Sequence, residues 1–271
     1  MAKRYYNLEK ETKEYLKACE AKSIVNQTNI KTLNDFVINR KTRNLNTTFL
    51  GSSPIVLNGL VLWFDAGVSD SYPAGGTVWK DLAGSNNGTL VNGPTFSKSN
   101  GGSIVFDGVN DYITQTSSGI ITNNISVDIW FNTNSQKSYA GLLGSNVTEK
   151  YEMLIKNGSN LEISLSPGNY IQHNTILSIN TWTNIIVSAS NGVAWKVYKN
   201  GVDLGTPPTI VGTYQISGTG VSNIYQGTIR SDVSGTFAFS GNISLIKIYN
   251  RALTALEVLQ NYNAMKGRFG L

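Results

Sequence analysis

Residues 241–266 read GNISLIKIYNRALTALEVLQNYNAMK, and this stretch decides the fold. Ile243, Leu245, Ile246 and Ile248 make an alternating apolar strand. It runs straight into Tyr249-Asn250-Arg251-Ala252-Leu253, and a short amphipathic helix follows. A strand of this kind followed by a short helix points to a β-sandwich with a short C-terminal helix.

The rest of the chain agrees with a β protein. Only 14% of the 271 residues are charged, with thirteen Tyr, five Trp and twenty-seven Gly. β-Branched and aromatic runs separated by Gly/Asn turns describe an all-β domain. The length allows a sandwich of about 200 residues with a full core. GLVLWFDAG at 59–67 is near-continuously apolar, as a strand at the sandwich centre would be. SIVF (103–106) and YI (112–113) bracket a tight Asp107-Gly108-Val109-Asn110 turn. Further strands are expected at 125–131, 139–143, 151–156, 161–165, 170–172, 184–189, 193–199, 223–229 and 237–248. Asn200-Gly201 suits a two-residue hairpin turn after 195–199. The fold expected is mainly β, a two-sheet antiparallel sandwich over 51–271 with a short C-terminal helix.

Residues 1–50 differ. They hold ten Lys/Arg against five Asp/Glu, whereas 51–271 balance twelve against twelve, so the net charge of +5 sits in the first fifty residues. Leu8, Tyr15, Leu16 and Cys19 give 7–21 one helical face, and Ile30, Leu33, Phe36 and Val37 do the same for 29–40. Helices this short need tertiary partners. The segment is therefore predicted to be a basic helical attachment arm, with Lys3, Arg4, Lys10, Lys13, Lys17, Arg40, Lys41 and Arg43 as its contact residues. The competing reading is an ordinary solvated helix surface. Cys19 is the one cysteine, so no internal disulfide forms. Met1–Lys22 has no apolar signal-peptide core, and no apolar run is long enough for a membrane span. Acids dilute the basic arm and aromatic interleaving is sparse, so nucleic acid is not an expected partner.

Four pieces carry a family resemblance: LVLWFDAG (60–67), SYPAGGTVWKDLAGSNNGTLVNGP (71–94), GGSIVFDGVNDYI (101–113) and FSGNISLIKIYNRALTALEVLQNYNAMK (239–266). Their order and spacing resemble laminin-G-like, concanavalin-A-like (pentraxin-type) jelly-roll domains as found in tailed-phage virion proteins. The resemblance implies a jelly roll with adjacent first and last strands. It also implies a structural virion protein made in the host cytoplasm without a signal peptide. Such a protein would be displayed as a capsid decoration or fibre-associated module. Its partners would be capsid or fibre subunits and further copies of itself. The alternative implied is a tail adhesin that binds host surface glycans.

Candidate sites follow, each with its plainer reading. Asp107, Asn110 and Asp111 offer hard oxygen ligands on one tight loop, as calcium requires; the plainer reading is an Asx turn. Asp65-Ala66-Gly67 invites the same pair. Tyr170, Trp182, Tyr214 and Tyr225, with Asn169, Gln172 and Gln215 nearby, are candidates for a glycan platform; the plainer reading is core aromatics. An enzyme is not expected. The sandwich has only Glu149, Glu152, Glu162 and Glu257, with no strand of alternating acids. Glu149 and Glu152, three apart, would point to opposite faces of a strand. His173 lacks acid or Cys neighbours and is expected at the surface or in a loop.

Overall fold

The computed structural model describes residues 54–135, 137–174, 176–229 and 235–271. The arm, and with it all eight proposed attachment residues, lies outside them.

Among the described residues, seventeen strands form two antiparallel sheets. In chain order they are β1 Leu60–Asp65, β2 Val78–Trp79, β3 Gly88–Val91, β4 Thr95–Ser97, β5 Ser103–Asp107 and β6 Tyr112–Thr116. Next come β7 Asn124–Thr133, β8 Tyr139–Ser145, β9 Glu152–Lys156, β10 Asn160–Ser166 and β11 Asn169–His173. The last six are β12 Thr183–Ser190, β13 Val193–Lys199, β14 Val202–Asp203, β15 Thr209–Val211, β16 Asn223–Gln226 and β17 Ser240–Tyr249. The eight-stranded sheet runs β14-β13-β12-β7-β17-β5-β4, with β1 also on β17. The nine-stranded sheet runs β15-β11-β10-β9-β8-β16-β6-β3-β2. Helix α1, Ala255–Met265, and a 3-10 turn, Lys266–Phe269, close the chain.

The first and last strands of the sandwich pair, Leu62 with Ile248 and Phe64 with Ile246, as the jelly-roll resemblance implies. One core fills the space between the sheets. Leu62, Phe64, Ile129, Ile246 and Ile248 face it from one side, and Ile113, Met153, Ile163 and Ile171 from the other. The Asn200-Gly201 hairpin forms as the sequence predicts, with positive φ at both residues.

The 107–110 turn does more than join neighbours. β5 lies in the eight-stranded sheet and β6 in the nine-stranded one, so this turn carries the chain across the sandwich.

The outer face of the eight-stranded sheet is sealed. Leu245, Trp130 and Ile55 pack with Met265 and Phe269, while Val56, Ile186 and Tyr249 pack with Leu253 and Val258. That second apolar layer explains why 59–67 reads as apolar on both faces. Thr254 caps α1 by accepting from Glu257 N, and Glu257 returns the bond to Thr254 N. Val56 is locked at both ends of its peptide: its N donates to Asn261 Oδ1 (2.9 Å), and its O accepts from Tyr249 Oη (3.0 Å). Burial pushes the Tyr249 phenol far up, so it stays a donor.

Candidate functional site

Among the described residues, no second layer of helix covers the outer face of the nine-stranded sheet. Strand register places Tyr139 opposite Lys156, Glu162 opposite Gln172 and Leu154, and Ser164 opposite Tyr170. All these residues alternate with the core positions of β8 to β11, so they share the outer face. Tyr139 is 40% exposed, and Tyr170 and Gln172 are half-buried. Between the two phenols, Lys156 Nζ contacts Glu162 Oε2 at 2.8 Å. That contact holds the ammonium above its usual range against partial burial, with weaker help from Tyr139 and Tyr170. Gln172 Nε2 donates to Asn174 Oδ1. The result is two ring platforms flanking fixed donors and acceptors.

A second aromatic patch sits further along the same face. Tyr112 and Tyr225 meet edge to face at 5.9 Å. The main chain of Thr228–Ile229 separates it from the first patch by packing on β8. It fits only because Gly141 and Gly144 have no side chains: a Cβ on Gly144 would lie 2.0 Å from Ile229 O.

The four proposed aromatics therefore do not gather. Tyr170 belongs to the first patch, and Tyr225, buried, to the second. β11 and β16 are four strand spacings apart in the sheet order, about 19 Å. Trp182 lies on the opposite side of the sandwich, against Phe269, with its Nε1 bonded to Asn100 Oδ1. Tyr214 packs edge-on against Trp195 in a positive-φ turn, and its O accepts from Trp195 Nε1. Tyr139 and Lys156 were missed, because cross-strand neighbours far apart in the chain leave no local pattern.

The Asp107 turn is held by its own bonds. Asp107 Oδ1 accepts from Val109 N (2.7 Å) and Asn110 N (3.4 Å), and Asp111 Oδ2 accepts from Asp107 N (3.0 Å). The Lys137 ammonium takes Gly108 O, together with Ala238 O. Burial raises the Asp111 carboxyl. Asp107 Oδ1, Asp111 Oδ2 and the Gly108 carbonyl already face N–H donors, whereas Asp111 Oδ1 is buried with no partner among the described residues. Among the described residues, no group of three or more His, Cys, Asp or Glu could hold a metal. At Asp65, the cation is Arg268, whose Nη1 lies 2.5 Å from Asp65 Oδ1. Asn169 Oδ1 fastens a loop by accepting from Thr213 N, and Gln215 is exposed.

His173 is not at the surface. It lies on the inner face of β11 opposite Leu161 and is 3% exposed. Burial lowers its pKa, although Asp203 pulls the other way.

Residues 107–259 match the family model of the concanavalin A-like lectin/glucanases superfamily. The chain belongs to that superfamily. No curated protein sequence matches it. Trypanosoma rangeli sialidase, solved with sialic acid, superposes with a TM-score of 0.58 at 14% identity, covering 90% of this chain and 40% of the sialidase. Domain 4 of AbnA, a GH43 extracellular arabinanase from Geobacillus stearothermophilus, was solved with arabinotriose. It gives 0.55 at 20% identity, over 75% of this chain and 98% of that domain. The binding domain of Paraclostridial Mosquitocidal Protein 1 gives 0.59 at 15% identity, over 76% of this chain and 52% of that one. The chain thus spans well under half of the sialidase it resembles. Likeness at this identity speaks for the fold alone.

The exclusion of an enzyme does not stand. The superfamily takes in glucanases, and the similar structures include a sialidase and a domain of an arabinanase. The premise drawn from the acids also fails. Glu149 precedes β9 in a positive-φ turn, so strand alternation does not govern it, and its N donates to Glu152 Oε1 at 2.9 Å. Glu152 and Glu162 then share the outer face on adjacent strands. Spacing along the chain did not show that Glu152 and Glu162 lie on one face.

Proposed function

We propose that this chain is a glycan-binding β-sandwich module. The supporting observation is the outer face of β8 to β11, where Tyr139 and Tyr170 flank the Lys156–Glu162 pair and Gln172. Sugar rings lay their C–H faces on aromatic rings, and their hydroxyls take fixed polar groups. The paired charges suit neutral oligosaccharides better than strongly charged ones. The charge asymmetry between residues 1–50 and the remainder supports attachment of this module to a larger assembly. In our reading that assembly is a tailed-phage virion, where many copies would raise avidity.

A glycan array displayed at high valency tests the binding. Retention of neutral oligosaccharides should fall about tenfold, some 1.4 kcal/mol, in Tyr139→Ala and Tyr170→Ala. Both variants should keep the melting temperature of the parent. Equal retention by parent and variants would sink this site, and release of reducing sugar would turn the reading from binding to hydrolysis.

A further inference from the structure

On the sealed face of the eight-stranded sheet, three chemically matched side chains meet beneath α1. Asp128 (β7) stands between Lys247 (β17) and Asn184 (β12), and none of the three is exposed to solvent. Lys247 Nζ lies 2.7 Å from Asp128 Oδ2, off the direction a hydrogen bond needs. Asn184 Nδ2 donates to Asp128 Oδ1 at 2.8 Å. Asn184 Oδ1 has no partner among the described residues. One carboxylate therefore holds an amine on one side and a carboxamide on the other, in a site closed to bulk solvent. Such a pair of buried charges is expensive to keep.

We infer that Lys247 and Asn184 join through a spontaneous intramolecular amide bond, with Asp128 as the proton carrier. The ammonium passes a proton to Asp128 Oδ2, which frees the amine lone pair. A flip of the Asn184 amide, which gives up the Nδ2 bond to Ile129 O at 3.2 Å, exchanges its two ends. After that flip, Oδ1 accepts a hydrogen bond from protonated Asp128, which activates Cγ. Nζ attacks Cγ, the Nζ–Cγ bond forms, and the Cγ–Nδ2 bond breaks. Both protons shed by Nζ go to Nδ2, which leaves as ammonium, and Asp128 ends as a carboxylate. Nothing is oxidised or reduced. Fixed geometry replaces an external catalyst. The product is uncharged at the lysine and ties β12 to β17 across β7.

High-resolution mass measurement of the purified full-length chain tests this. The expected result is a mass about 17 Da below the sequence mass, one ammonia, with a branched proteolytic peptide joining Lys247 to Asn184. Lys247→Met and Asp128→Asn should restore the full mass; the wild-type measurement stands even where a variant does not fold. A full-mass wild type that is folded by near-UV circular dichroism would overturn the inference. So would the same mass loss traced to a succinimide at an Asn-Gly pair. A loss of about 18 Da with a Lys247–Asp128 branch would overturn the choice of acceptor.

Discussion

The two outer faces of this sandwich are built from the same kind of alternating strand and have opposite fates. On the eight-stranded sheet, the outward positions Leu245, Trp130, Ile186 and Tyr249 are covered by α1 and the 54–58 segment, and even Asp128 and Lys247 lose all contact with water. On the nine-stranded sheet, Tyr139, Tyr170, Gln172 and the Lys156–Glu162 pair stay at least partly in water. Trp130, stacked at 4.2 Å on Phe269, and Tyr139, edge-on to Phe237 at 5.9 Å, are both aromatics on outward positions, yet one is fully buried and the other 40% exposed. Among the described residues, what differs is the presence of a covering layer, which the local sequence of a strand does not encode. Substitutions on the sealed face should therefore cost stability, and those on the open face should cost binding.

The largest expected effect is at the sealed face. Asp128→Ala strands Lys247 as a buried, unpaired cation and should destabilise by about 3–5 kcal/mol in a denaturant titration. A loss no greater than that of a surface substitution would show that water reaches this face, and the contrast would collapse. Next comes the spine between the two open patches. Gly144→Ala must push the Ile229 main chain aside, which should cost about 1–3 kcal/mol. An unchanged midpoint would mean that the crossing chain is not seated on β8.

The smallest effect separates charge from polarity. The sealed face buries Asp128 beside Lys247, whereas the inner face of the nine-stranded sheet buries Gln115, Gln226 and His173. With its pKa lowered by burial, His173 refuses in the folded state a proton that the unfolded chain accepts. Its contribution is intact above the unfolded value of about 6.5 and falls with pH below that, by at most about 1.4 kcal/mol per pH unit. His173→Gln should flatten the slope of stability against pH between about 6.5 and 5. Identical slopes would place a charged imidazole in the core.

Much of the fold was legible because its signals are local. The alternation of 243–248 and the turn residues Asn200-Gly201 specify backbone conformation within a few residues. Lys247 was not legible as buried. In ISLIKIY it occupies the outward register, which reads as solvent-facing until a helix is laid over it. Two of the four glycan candidates lie apart from the Tyr139–Tyr170 site for the same reason: Trp182 and Tyr225 are aromatics beside polar residues in sequence, but they pack against neighbouring elements.

By itself the sequence determined that this is an antiparallel β-sandwich closed by a helix, because periodicity and turn chemistry act over short stretches of chain. Only the tertiary structure decided which face is sealed, which tyrosines flank the Lys156–Glu162 pair, and that Asp128, Asn184 and Lys247 meet out of water. Those outcomes depend on strand order and layering, which bring together residues more than a hundred positions apart, such as Asp128 and Lys247.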